Sequence, residues 1–173
     1  MRLDRLAFHY LDTDARVAGF VLGEMGNATK AEFAKFLIDR FETDALLKDH
    51  GLHLVALMNR LRENRNILEH ALPLSWGGEY HGTIYKVDRR GREIPFAAPI
   101  DALKSLLQTM QDTLPYSVWI MRCLKWVWVR EADGINGGPT TAQAALRVLA
   151  SLDRPQLPDK IAPLPPPLDQ EGE

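Results

Sequence analysis

Three neighbouring side chains have the types and spacing that chemistry on a phosphate ester requires. They are Arg65, Asn66 and His70, in a stretch whose apolar residues recur at helical spacing. A histidine takes up and releases protons near neutral pH because its unperturbed pKa is about 6.5. An arginine guanidinium can bind two phosphate oxygens at once. This stretch is therefore the candidate site, and the helices around it must position it.

The composition is that of a protein with enough apolar residues for a core. The chain has 173 residues, 46% hydrophobic and 25% charged, and its net charge of −2 provides no general attraction for nucleic acid. The single cysteine, Cys123, predicts a buried thiol without a disulfide or a zinc site. The N-terminus lacks the apolar stretch of a signal peptide, and the apolar run Val118–Val129 is shorter than the ~20 residues that span a bilayer. We expect a cytoplasmic protein with no membrane segment.

Helical periodicity dominates the chain and predicts an all-α fold, a helical bundle of five or six helices with a small β-hairpin insert. The expected helices are 13–25, 29–41, 51–72, 99–114, 116–131 and 140–152, and the expected hairpin pairs 80–87 with 93–97. We expect one domain, 1–152, and a flexible tail, 153–173. The tail is acidic and holds six of the eleven prolines, a composition typical of extended or disordered segments.

The helix expected at 51–72 carries the candidate residues. Its apolar stripe includes Leu54, Leu61 and Leu68, and two polar residues interrupt it at positions 64 and 65. We therefore expect Arg65 on or beside the buried face. An arginine there needs a partner, because an unpaired buried charge is costly.

The segment Arg65-Asn66-Ile67-Leu68-Glu69-His70 resembles the motif of HEPN-domain proteins, in which a histidine follows an arginine on a helix. In that family a polar residue commonly follows the arginine, as Asn66 does here. The family consists of small all-helical domains, and many are metal-independent ribonucleases of toxin–antitoxin and defence systems. The resemblance covers six residues as a motif and roughly residues 13–130 as an order of helices.

The resemblance implies RNA cleavage without a metal ion or cofactor. A ribose 2′-hydroxyl would attack the adjacent phosphate, with His70 as general base or general acid. Arg65 would stabilise the charge that builds on the phosphate, and Asn66 would orient the imidazole or bind the ribose.

Helical geometry sets a condition on this chemistry. Arg65 and His70 are five residues apart, so in an ideal helix their directions differ by about 140°. One protomer therefore points them apart, whereas two copies can bring them together. HEPN ribonucleases resemble that arrangement in using paired domains with a composite site. We expect a homodimer through the helix at 51–72, with RNA as substrate and an antitoxin or other protein as a further partner.

Further basic residues are candidates for RNA binding. Arg62 lies on the same side of the helix as Asn66, and Lys86, Arg89 and Arg90 surround the expected hairpin turn. No metal site is expected, because the sequence offers no third ligand for His50 and His53.

The alternative is a non-catalytic helical interaction module or regulatory subunit. In that case Arg65 forms an i,i+4 pair with Glu69, and His70 favours the carboxyl end of the helix dipole. A third interpretation is a nucleotide- or RNA-binding domain that has lost cleavage. Burial of Arg65 against Glu69, with His70 facing away, would contradict the enzyme; a shared solvent-reachable cleft would support it.

Overall fold

The computed structural model of the chain describes residues 7, 10–11, 15–76, 79–133 and 139–165. Five helices and three strands are defined in this part. The helices are α1 (Ala15–Glu24), α2 (Asn27–Phe41), α3 (Ala45–Glu69), α4 (Ile100–Asp133) and α5 (Pro139–Ala150), and the strands are β1 (Ala71–Trp76), β2 (Glu79–Val87) and β3 (Glu93–Ala97). The coarse prediction of a mostly helical protein with a small β insert is confirmed. None of the described helices is long and apolar enough to cross a membrane.

The helix that carries the candidate residues is longer at its start and shorter at its end than expected. It begins at Ala45, where the Asp44 carboxylate accepts a hydrogen bond from the Leu47 amide at 2.9 Å and caps the first turn. It ends at Glu69, so the prediction of helix to residue 72 was wrong. Pro73 explains the early end, because its ring lacks an amide hydrogen and clashes with the carbonyl four residues earlier.

The two helices expected on either side of Pro115 form one continuous helix, α4. Proline removes one helical hydrogen bond and normally kinks or breaks a helix. Here the helical residues after Pro115 are held in place by packing, because Tyr116, Ile120 and Leu124 lie in the core. Packing of this apolar face therefore outweighs the local cost of the proline.

The expected hairpin is present, but it belongs to a three-stranded antiparallel sheet in the order β1-β2-β3. In β2, Ile84 pairs with Phe96 of β3 and with Pro73 of β1. The turn between β2 and β3 is closed by the Asp88 carboxylate, which accepts hydrogen bonds from the backbone amides of Arg90 and Arg92. Strand β1 was not expected, because Ala71 and Leu72 were assigned to the preceding helix and residues 73–76 to no strand.

The chain divides into two compact units. Unit 1 comprises Met1–Asn59 and Thr109–Leu157, and unit 2 comprises Arg60–Gln108 and Pro158–Glu173. The main core of unit 1 contains residues from α2, α3, α4 and α5: Ala34, Ile38, Leu54, Leu57, Tyr116, Ile120, Cys123, Leu124 and Leu149. The core of unit 2 consists of Ile84, Phe96, Ala98, Leu106 and Ile161. The buried thiol predicted for Cys123 is confirmed, and burial raises its pKa.

The segment after α5 differs from the separate flexible tail that its composition predicts. Its described part, residues 153–165, is extended, but it belongs to the two units. Pro155 is buried in unit 1, and Pro158 and Ile161 are buried in unit 2. The rest of the predicted tail, from residue 166, lies outside the described residues, as do residues 134–138.

A buried histidine in unit 1 makes the stability of the fold depend on pH. The Nδ1 atom of His50 lies 2.9 Å from the hydroxyl oxygen of Tyr116, and the ring is almost completely buried. Burial is the main cause that lowers the pKa of His50, and the nearby Arg154 guanidinium lowers it further. Burial likewise raises the pKa of Tyr116 to about 12, so both groups are neutral near pH 7.

We therefore expect the protein to unfold more easily at pH 5.5 than at pH 7.5. The unfolded chain protonates this histidine below about pH 6.5, whereas the folded chain resists protonation, so stability falls as the pH drops through that value. Thermal unfolding of wild type and His50→Gln at both pH values measures the effect. A smaller pH dependence in His50→Gln is expected. An unchanged dependence in that variant would show that His50 is not responsible.

Candidate functional site

The structure places all three predicted catalytic residues at the surface of unit 2. Arg65 and Asn66 lie in the last turns of α3, and His70 is the turn residue that joins α3 to β1; all three are exposed. The Nη2 atom of Arg65 lies 3.1 Å from Oε1 of Glu69, and the two side chains are 64% and 47% exposed. The i,i+4 pair that the alternative interpretation expects is thus present, but Arg65 is not buried.

The prediction that Arg65 lies on or beside the buried face was wrong, because Asn64 takes that place. Asn64 is only 1% exposed. Its Nδ2 donates to the Asp159 carbonyl at 2.8 Å, and its Oδ1 accepts from the Ile161 amide at 3.0 Å. A buried amide with both ends hydrogen-bonded is stable where a guanidinium without a counter-ion would not be. The interruption of the apolar stripe correctly predicted a buried polar group. The prediction placed that group at position 65, whereas it lies at position 64.

The exposed ion pair with Glu69 holds the Arg65 guanidinium only weakly. Pairs of this kind contribute roughly 0–1 kcal/mol, because water screens the charges and both side chains lose freedom. A phosphate can therefore compete with the Glu69 carboxylate for Arg65. The same carboxylate also repels an approaching phosphate, because both groups are negatively charged.

The sheet register brings the predicted hairpin residues close to the end of α3. Lys86 of β2 is the direct cross-strand partner of Ala71, the residue after His70. Directly opposite residues in an antiparallel pair have Cα atoms about 4.5–5.5 Å apart. The turn that contains Arg89 and Arg90 begins two residues after Lys86, so it lies near His70 along the same end of the sheet. Sequence spacing alone separates His70 from Lys86 by sixteen positions and does not show this proximity.

The predicted RNA-binding residues differ in exposure. Arg89 and Arg90 are exposed in the turn, whereas Arg62 and Lys86 are half-buried. Lys86 shares its face of the sheet with Ala71 and its other cross-strand partner Ile94, which both pack against the core of unit 2. Its aliphatic stem therefore lies on the core side, and a long lysine stem can still carry the amine to water.

The surface through which we expected dimerisation is polar. The apolar stripe of α3 is used inside the two units: Leu54 and Leu57 are buried in unit 1, and Leu61 and Leu68 pack against the core of unit 2. The exposed positions near the end of α3 are the polar residues Arg65, Asn66, Glu69 and His70; Leu72, which lies beyond the helix in β1, is an exposed apolar residue. A dimer through this end of α3 would therefore use charge and hydrogen bonds rather than an apolar seam.

No metal centre is formed by the described side chains, since no three His, Cys, Asp or Glu residues in that part of the chain form a suitable group. His50 and His53 have other contacts: His50 pairs with Tyr116, and Nε2 of His53 lies 2.9 Å from the Pro155 carbonyl oxygen. In comparisons with known proteins, no family model matches the chain, and no curated protein or solved structure is similar enough to count as a match.

Proposed function

We propose that the protein is a HEPN-like, RNA-acting protein of the cytoplasm, whose active form is a metal-independent endoribonuclease of a toxin–antitoxin or defence system. The observation that supports this best is the register of β1 and β2, in which Lys86 pairs with Ala71, the residue after His70. The turn with Arg89 and Arg90 follows Lys86 in the chain. A proton-exchanging side chain beside several cations fits a strand of RNA phosphates.

In this proposal the chain supplies every group that the reaction needs. His70 accepts the proton of a ribose 2′-hydroxyl, and the resulting oxygen attacks the neighbouring phosphorus. The bond to the 5′-oxygen breaks, that oxygen takes up the proton that His70 accepted, and the products carry a 2′,3′-cyclic phosphate and a 5′-hydroxyl. Arg65 stabilises the charge on the non-bridging oxygens. Asn66 binds the ribose or orients His70, and Arg62, Lys86, Arg89 and Arg90 hold flanking phosphates.

The proposed active species is a homodimer with a composite site. Arg65 pairs with Glu69 on one side of α3, whereas His70 lies beyond the end of that helix. A second copy that docks on the exposed end of α3 would bring the Arg65 of one protomer to the His70 of the other. The polar character of this surface suits an assembly that RNA itself helps to hold together.

We expect the wild-type protein to cleave single-stranded RNA in the presence of EDTA, and Glu69→Gln to bind RNA several-fold more tightly. The substitution removes a repulsive charge and releases Arg65 from its ion pair. RNA affinity at two salt concentrations and cleavage by gel are the measurements. Glu32→Gln is the matched control, because it makes the same charge change on the exposed surface of α2.

Two results would contradict the proposal. The first is wild-type protein that neither binds nor cleaves RNA, and the second is cleavage that EDTA abolishes. Equal RNA affinity in Glu69→Gln and Glu32→Gln would show that Arg65 is not part of the RNA-binding surface.

The second candidate is the non-catalytic interaction module, and exposed apolar side chains favour it. Val17, Phe20 and Val21 form one exposed face of α1, and Met110, Leu114 and Val118 recur every four residues on the exposed side of α4. Contiguous apolar surface of this kind is typical of protein-binding sites. The two candidates are separated by the RNA experiment, because a protein-binding module does not respond to Glu69→Gln.

A further inference from the structure

The segment Pro158–Leu164 of unit 2 forms hydrogen bonds through its backbone. Arg60 donates from Nη1 to the Pro158 carbonyl at 2.9 Å, and Asn64 bonds the Asp159 carbonyl and the Ile161 amide. Such contacts do not depend on the side chains of the bound segment. They are the contacts by which a protein binds an extended peptide.

The second half of the segment extends the sheet. The amide of Ala97 donates to the Ala162 carbonyl at 3.3 Å, the amide of Leu164 donates to the Pro95 carbonyl at 2.8 Å, and Phe96 forms an antiparallel bridge with Pro163. Strand β3 is otherwise the edge of the sheet. The segment therefore covers an edge that would be open to pairing with another chain.

Two side chains of the segment are buried, Pro158 and Ile161, and Ile161 is the one that lies in the core of unit 2. Ile161 is 7% exposed and packs in the core of unit 2 with Ile84, Phe96 and Leu106. The neighbouring Lys160 is exposed, and its Nζ lies 3.5 Å from the Glu63 carboxylate. Backbone pairing at a sheet edge with one deep aliphatic anchor is the arrangement of β-strand addition.

The prolines in and beside this segment lower the loss of conformational entropy when the segment docks. Pro158 and Pro163, with Pro165 directly after the segment, fix their own φ angles and favour an extended chain before docking as well as after it. Little conformational entropy is then lost when the segment docks. A segment of identical sequence from another molecule would make the same contacts.

We propose that Asn64, the edge of β3 and the pocket of Ile161 form a binding site for an extended peptide, which the chain's own residues 158–164 occupy. The partner is the same segment of a second copy, exchanged between two molecules. This site is separate from the residues proposed for RNA cleavage, and it does not depend on that function.

Hydrogen exchange of the wild-type protein tests whether the segment leaves its site. The amides of Ile161 and Leu164 are both hydrogen-bonded, so they are protected when docked. We expect them to exchange at least tenfold faster than the protected amides of β2, because the segment opens without unfolding the sheet. Equal rates would show that the segment leaves only on unfolding and would overturn the proposal.

A labelled peptide of residues 156–165 tests binding from outside, with fluorescence anisotropy as the readout. We expect full-length Ile161→Ser to bind this peptide at least tenfold more tightly than wild type, because its own segment competes less well. Adding Asn64→Ala to that variant should remove the binding, and a peptide that carries Ile161→Ser should not bind. Failure of folded Ile161→Ser protein to bind the peptide would overturn the proposal. The exchange experiment decides the matter if this variant does not fold.

Discussion

If the protein cleaves RNA as proposed, we expect His70→Ala to lower the cleavage rate by about 10²–10⁴-fold, the range that a general acid or base contributes. We expect Arg65→Ala to lower it by about 10²–10³-fold, the range for the loss of one group that stabilises transition-state charge. Both side chains are exposed, so neither substitution should unfold the protein. Single-turnover cleavage of a defined RNA in EDTA is the measurement.

Two matched variants make this result specific. His81 is an exposed histidine of the same unit, in β2, so His81→Ala should retain the wild-type rate. Arg65→Lys keeps the charge but loses the planar fork, so its rate should lie between those of wild type and Arg65→Ala. If His70→Ala cleaved RNA as fast as wild type, the reaction would belong to another site or to a contaminant.

Replacing Leu54 with alanine destabilises unit 1 by about 2–5 kcal/mol, the cost of removing a large aliphatic side chain from a packed core. Leu54 is 0% exposed and lies in α3 among the side chains of the main core. The cost includes both the lost apolar burial and the cavity left behind. Urea unfolding, followed by circular dichroism, measures the change in the free energy of unfolding.

The matched control is Leu114→Ala, which makes the same chemical change on an exposed position of α4 in the same unit. Leu114 is 59% exposed, so its replacement should change stability by less than about 0.5 kcal/mol. Equal effects of the two substitutions would mean that the core of unit 1 is not packed as described. A strongly destabilising Leu114→Ala would indicate that another molecule covers this face of α4.

Local patterns predicted the helices and the hairpin, because apolar periodicity and turn residues act over short distances. The same patterns missed what depends on distant residues. Ala71–Trp76 forms a strand because β2 lies beside it, and Pro115 stays inside a helix because Tyr116, Ile120 and Leu124 are buried. Neither partner is visible from the local sequence.

The sequence was enough to choose candidate residues but not to describe their surroundings. The motif selected Arg65, Asn66 and His70, whose role stays a prediction, whereas the buried polar position is Asn64. The choice between positions 64 and 65 depends on the segment 158–164, which lies about ninety-five residues further along the chain and supplies the hydrogen-bond partners of Asn64. The placement of Lys86 beside the end of α3 likewise depends on the register of β1 and β2.

The composite site is the central claim, and mixing two inactive variants tests it most directly. Arg65→Ala retains His70, and His70→Ala retains Arg65, so a mixed dimer contains one complete site. If equal amounts exchange subunits freely, half of the dimers are mixed and the mixture should recover about one quarter of the wild-type rate. A mixture that forms mixed dimers, shown by mass, yet stays as inactive as each variant alone would contradict a site shared between two copies.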